Sequence, residues 1–208
     1  MDTRKITGFA LAGPPVIAII IWFIFGFAVM DGVGPDDPQN FIATLGANSD
    51  AAKILLPLTT LLFLMGVGGV GYIKKSMEGG SGHYIASFGW FLIIVGAAGQ
   101  LGESALTVAT AEAAAVGNIA VASSMFAGSS AIGATTTGFF MLGFALIGVG
   151  ILQQKNFNQL VAGLMIIAGI FTLAVCLIDY ESPLMGIGYI AVVVSFVGIG
   201  VGVLSKKE

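Results

Sequence analysis

Residues 159–208 read QLVAGLMIIAGIFTLAVCLIDYESPLMGIGYIAVVVSFVGIGVGVLSKKE. Two apolar runs flank an acidic turn at Asp179 and Glu181, and Lys206 and Lys207 follow the second run. A bilayer core needs roughly 20 mostly apolar residues per helix. The segment therefore reads as two membrane spans, with carboxylates at one surface and lysines at the other.

Four more runs precede it. Together they predict one six-helix transmembrane domain over residues 1–208, with spans near 6–30, 51–73, 84–108, 130–152, 159–178 and 183–204. The fold class is an all-α integral membrane protein. Composition agrees: 57% of residues are hydrophobic and only 9% charged, against about 25% charged in soluble domains. The first run follows Arg4 and Lys5 but ends in no small-residue cleavage site, so it reads as an uncleaved anchor. Membrane lipid is the expected solvent. Net charge is −3 with no basic tract, which argues against nucleic-acid binding.

The charges orient the bundle. With the N-terminus in the cytoplasm, Arg4, Lys5, Lys74, Lys75, Lys155, Lys206 and Lys207 all fall inside, and only Lys53 falls outside. Asp31, Asp36, Asp37, Asp50, Glu103, Glu112, Asp179 and Glu181 fall outside or at the outer interface. The positive-inside rule predicts this pattern for an even number of spans in a cell membrane, with both termini cytoplasmic.

Local signals mark the ends. Asp37–Pro38 is an N-cap followed by a first helical position. A short outer helix from there lays Phe41, Ile42 and Leu45 on the membrane surface until Gly46. Asn48, Ser49 and Asp50 offer caps to the second span, as Ser182 and Pro183 do to the sixth. Pro14 and Pro15 predict a kink near the inner end of the first span.

The third and fourth helices look too long for a bilayer. Residues 84–116 and 119–152 hold no strong breaker, and Gly117–Asn118 is the turn between them. Each would run about 45–50 Å against a core of ~30 Å. Their outer halves are rich in alanine, serine and threonine. This predicts a helical hairpin projecting on the outer side, with a re-entrant break near Gly128 or Gly133 as the alternative. The first and last three spans share no matching motif, so an inverted repeat is not supported.

Polar residues mark one candidate pocket: Gln100, Glu103 and Thr107 on one face of the third helix, with Ser130, Thr136 and Thr137 on the fourth. Glu103 lies about 28 Å along its helix from Tyr84, near the outer edge of the core. An intramembrane carboxyl there would serve as proton acceptor or cation ligand. The competing reading is a hydrated interfacial carboxylate with the hydroxyls as helix-packing glue, and the peripheral depth favours it. Asp31, Asp36, Asp37, Asp179 and Glu181 form an acidic outer rim. Their spacing matches no calcium loop, and topology alone accounts for them. His83 is the lone histidine and Cys176 the lone cysteine, so no metal site and no cofactor is expected. No catalytic residue is assigned, since no nucleophile–base pair appears.

Two functions follow as expectations. One is a non-catalytic subunit or scaffold of a larger membrane complex, docking other subunits or a second copy through glycine-rich faces such as Gly198 and Gly202. The alternative is a small transporter or channel with an outward pocket around Glu103.

Overall fold

The computed structural model describes residues 2–205, and these are all helical apart from their turns. Lys206, Lys207 and Glu208, which the charge pattern assigns to the inner side, lie outside the described residues. Six helical stretches are long and apolar enough to cross a membrane, so the chain is a multi-pass membrane protein by length and composition. The first span is divided: α1 is Thr3–Ala12 and α2 is Pro14–Ile24, and a π-helical turn, Phe25–Val29, completes it. Then come α3 (Pro38–Ala47), α4 (Ser49–Lys75), α5 (His83–Ala115), α6 (Ile119–Gln154), α7 (Gln159–Ile178) and α8 (Leu184–Ser205).

The break falls at Gly13, directly before the two prolines. Pro14 takes the first helical position, where a missing N–H costs nothing. Pro15 is buried, beside Gly66 of α4. The π-helical turn has no counterpart in the sequence reading. It hydrogen-bonds Met30 N–H to the Phe25 carbonyl at 2.9 Å, so residues five apart enter the same core cluster.

The spans form a closed ring. The first span packs on α4 and α8, and α4, α5, α6, α7 and α8 each pack on the next. The closest seam is α5 against α6. Gly89 and Gly143 face each other there: a Cβ added to Gly89 would lie 2.7 Å from the Gly143 carbonyl oxygen. Only hydrogen fits between two backbones at that separation.

Aromatic rings fill the middle of the ring. Phe63 of α4 lies 5.4 Å from Phe140 of α6 and 6.0 Å from Phe196 of α8, centroid to centroid, and Phe144 lies 5.6 Å from Phe196. Alternate helices thus supply a plug that is fully buried at Phe140, Phe144 and Phe196. At the end that holds the α4–α5 and α6–α7 turns, Ser81 donates to the Gln153 carbonyl at 2.9 Å and Asn156 to Ser76 at 3.2 Å, tying those two turns together.

α5 and α6 run unbroken for 33 and 36 residues, so α6 passes through Gly128 and Gly133 without a re-entrant break. Gly117 takes a left-handed φ of 76° in the turn, and the Asn118 side chain caps α6 by accepting from Val121 N–H. Because Glu181 of the α7–α8 turn meets α6 at Ser130, about three turns of α6 rise beyond that point, roughly 16 Å. Val116, at the tip, is 80% exposed.

One expectation is corrected. α3 starts at Asp37–Pro38 as its cap requires, but it does not lay Ile42 and Leu45 on the membrane surface. Both are buried, Leu45 in a cluster with Phe25, Met30, Ala52 and Ala111. Phe41 packs on Phe126, at 5.4 Å between centroids. The cause is the alanine-rich flank of the hairpin. Its short side chains let α3 approach until Gly46 touches Ala114. The hairpin is therefore buttressed on one side.

Candidate functional site

α5 carries Gln100, Glu103 and Thr107 on one face, as three- and four-residue steps require. All three line a cavity of about 240 Å³ between α2, α4, α5 and α8. Its floor is Phe63, the top of the aromatic plug, and Pro15 and Trp22 form the wall from α2. A groove of about 660 Å³ adjoins it, bounded by the 32–36 loop, Phe126, Ser130 and the α7–α8 turn. Glu103, Thr107, Tyr180 and Tyr189 border both spaces, so the carboxyl stands where they meet.

Glu103 is half-buried. Its Oε1 accepts a hydrogen bond from the Tyr180 hydroxyl at 2.6 Å; Oε2 takes none from the described residues. The backbone beneath is anchored: Thr107 and Ser129 hydroxyls lie 2.8 Å apart and reach the Glu103 carbonyl oxygen at 2.9 and 3.1 Å. Gly133 of α6 makes room above. A Cβ there would stand 2.6 Å from both Glu103 Oε1 and the Tyr180 hydroxyl. Deeper in the site, the Tyr189 hydroxyl lies 3.1 Å from Thr137 and accepts from Gln100 at 3.4 Å.

Tyr180 stands in the turn after α7, outside the helical spans. Burial pushes its phenol well above the ordinary value, and the neighbouring Tyr189 and Glu103 add to the shift. The phenol therefore stays protonated at neutral pH and remains a donor to the carboxylate.

Among the described residues, no basic side chain lines either space. The ion pairs among them lie elsewhere: Arg4 with Asp2 at 3.8 Å, Lys53 with Glu112 at 3.3 Å and Asp50 at 3.8 Å, Lys74 with Glu78 at 3.4 Å. Glu103 thus has no counter-charge among the described residues.

The other candidates scatter. Thr137 is buried behind Tyr189. Ser130 belongs to the adjoining groove, donating to Glu181 at 2.9 Å. Thr136 turns back to the Ile132 carbonyl at 2.7 Å and packs on Gly99, outside the cavity lining. The acidic rim does not converge either. Asp36 and Glu181 border the groove, Asp31 is exposed in its own turn, and Asp37 caps α3. Asp179 accepts from Glu181 N–H at 3.1 Å. Among the described residues, no three acidic, histidine or cysteine side chains gather as a metal site would need. Cys176 donates to the Ala134 carbonyl at 2.9 Å, as a small buried residue.

Sequence reasoning missed Tyr180, Tyr189, Ser104, Thr59, Thr60 and Trp22. The signal available was two phenols in and beside apolar runs, where a hydroxyl must find a partner. The chain matches no protein-family model, no curated protein and no solved structure.

Proposed function

We propose that this chain is a non-catalytic carrier of the cell membrane, with both termini cytoplasmic, whose outward cavity receives a small solute at Glu103. One observation carries the reading: a carboxyl without counter-charge borders an open cavity inside an apolar bundle. An acidic residue in a membrane helix carries an insertion cost, about 2.5–3.5 kcal/mol at the bilayer centre and less at the edge, where Glu103 stands. Helix packing alone would be served better by an apolar residue, so a carboxyl held by a tyrosine donor, on a backbone pinned by two hydroxyls, fits a binding role. The aromatic plug below the cavity supports a carrier over an open channel.

The experiment is reconstitution into liposomes, with uptake of labelled amines, amino acids, sugars and inorganic ions measured. One solute class should give saturable uptake, and Glu103→Gln should abolish it. No uptake of any class refutes the carrier reading, and unchanged uptake in Glu103→Gln removes the carboxyl from the mechanism. Orientation is tested separately in a Cys176→Ala background. An impermeant thiol reagent added outside sealed cells should label Asp36→Cys and spare Lys75→Cys. The reverse result inverts the topology.

The second reading, a subunit or scaffold of a larger complex, is supported by the hairpin tip, where Val116 and Ile119 are exposed beyond the α7–α8 turn. Its partner would be another membrane subunit or a second copy, and co-purification in mild detergent is its test. A hairpin-tip variant, Val116→Asp, should then release the partner.

A further inference from the structure

The chemistry lining the cavity restricts what it can hold. Anions are disfavoured, because a carboxylate borders the space and no lysine, arginine or histidine does. A dehydrated metal ion is poorly served as well. Such ions take about six or more converging oxygens, and here one carboxyl stands without two further acidic, histidine or cysteine partners among the described residues. The space, about 240 Å³, is also far larger than a bare ion. Water's share of liquid volume is about 30 Å³ per molecule, so the cavity matches a molecule of several heavy atoms.

The remaining wall is aromatic and aliphatic. Trp22, Phe63, Tyr180 and Tyr189 line the same space as Glu103, with Ala18 and Val193 between them. Ring faces attract cations that carry little hydration, and a tryptophan face does so most strongly. The threonines of α4 add little donor power, since Thr59 donates to the Leu55 carbonyl at 2.7 Å and Thr60 to the Leu56 carbonyl at 3.0 Å. A sugar, which needs many donors and acceptors at once, finds the Gln100 amide and the Ser104 hydroxyl in a lining that is mostly apolar. Glu103 Oε2 is the charged acceptor left over.

We infer that the solute is a small organic cation, a protonated amine or quaternary ammonium, held between the Glu103 carboxylate and the aromatic wall. This rests on the carrier reading and names its substrate class. The charge sits at the junction of cavity and groove, the apolar body sits over Phe63, and a longer substituent extends into the adjoining groove past Trp22.

The test is thermal stability of the full chain in detergent with tetramethylammonium, propylamine, sodium, calcium, acetate and glucose, each titrated to saturation. Tetramethylammonium or propylamine should raise Tm saturably, and sodium, calcium, acetate and glucose should not. Glu103→Gln should weaken the half-saturating concentration roughly tenfold or more, as loss of a charged partner does. Should that variant fail to fold, Trp22→Leu on the α2 surface gives the second reading. It should weaken organic cations by about tenfold, in the range of a lost cation–π contact. Stabilisation by acetate, glucose or a metal ion in place of the amines overturns the substrate class and leaves the carrier standing. Silence from all six compounds overturns the class as well. If no solute is taken up by liposomes either, the carrier reading falls with it.

Discussion

Replacing Gly89 by alanine is expected to destabilise the bundle by about 1–3 kcal/mol, the range for overpacking a tight core. The added carbon would meet the Gly143 carbonyl oxygen at 2.7 Å and the Ile147 amide nitrogen at 3.1 Å. Both are backbone atoms in the middle of a helix. They cannot rotate away, so α5 and α6 must separate along the seam. Alanine favours helix over glycine by up to about 1 kcal/mol, and the clash outweighs that gain. The reciprocal change, Gly143→Ala, should behave alike, since its added carbon would lie 2.5 Å from the Gly89 carbonyl oxygen. Thermal unfolding in detergent measures both. A Tm equal to that of the unaltered protein would mean the helices are not in contact at this crossing.

The same one-carbon change at Gly133 should strike the site itself. There the new carbon would meet the tips of two side chains, Glu103 Oε1 and the Tyr180 hydroxyl. Those tips can swing aside without parting the helices. Losing a charged hydrogen bond costs about 1.5–3 kcal/mol, and the helix propensity of alanine returns up to about 1 kcal/mol, so the baseline should fall by about 0.5–2 kcal/mol. The site should change greatly. With the carboxyl displaced and its tyrosine donor lost, ligand-induced stabilisation should weaken by about tenfold, or vanish. Measuring Tm with and without tetramethylammonium separates the two variants by the increment: Gly89→Ala lowers the baseline and keeps the increment, whereas Gly133→Ala loses the increment. Retention of the full increment in Gly133→Ala would disconnect the Glu103–Tyr180 pair from binding.

Much of the scaffold is legible along the chain, because bilayer thickness sets span length and hydropathy records it directly. The Gly117–Asn118 turn, the Asp37–Pro38 helix start and the break at Pro14–Pro15 are likewise local, each decided by the backbone preferences of two or three residues. The hairpin length follows from counting residues between breakers. The π-helical turn was not legible, since Phe25–Val29 carries no composition that sets it apart from α-helix; packing of Phe25 and Met30 into one cluster selects it. The surface position expected for α3 failed for a related reason. Amphipathic spacing shows that a face must be covered, but not whether lipid or protein covers it.

The site was half legible for the same cause. Gln100, Glu103 and Thr107 share a face by helical spacing. Their partners do not: Tyr180 is 77 residues from Glu103 and Tyr189 is 89 from Gln100. Such pairings exist only once the ring closes. Thr136 shows the converse error, a hydroxyl beside Thr137 in sequence that the helix rotates into the α5 seam.

The rings of Phe63, Phe140, Phe144 and Phe196 come from every second span, and this dictates tempo. They act as a keystone: none of the three spans that bear them can tilt without unseating aromatic neighbours borne by the other two. On the carrier reading, a solute that crosses must wait for three helices to part together, which would make for counted turnovers instead of a steady stream.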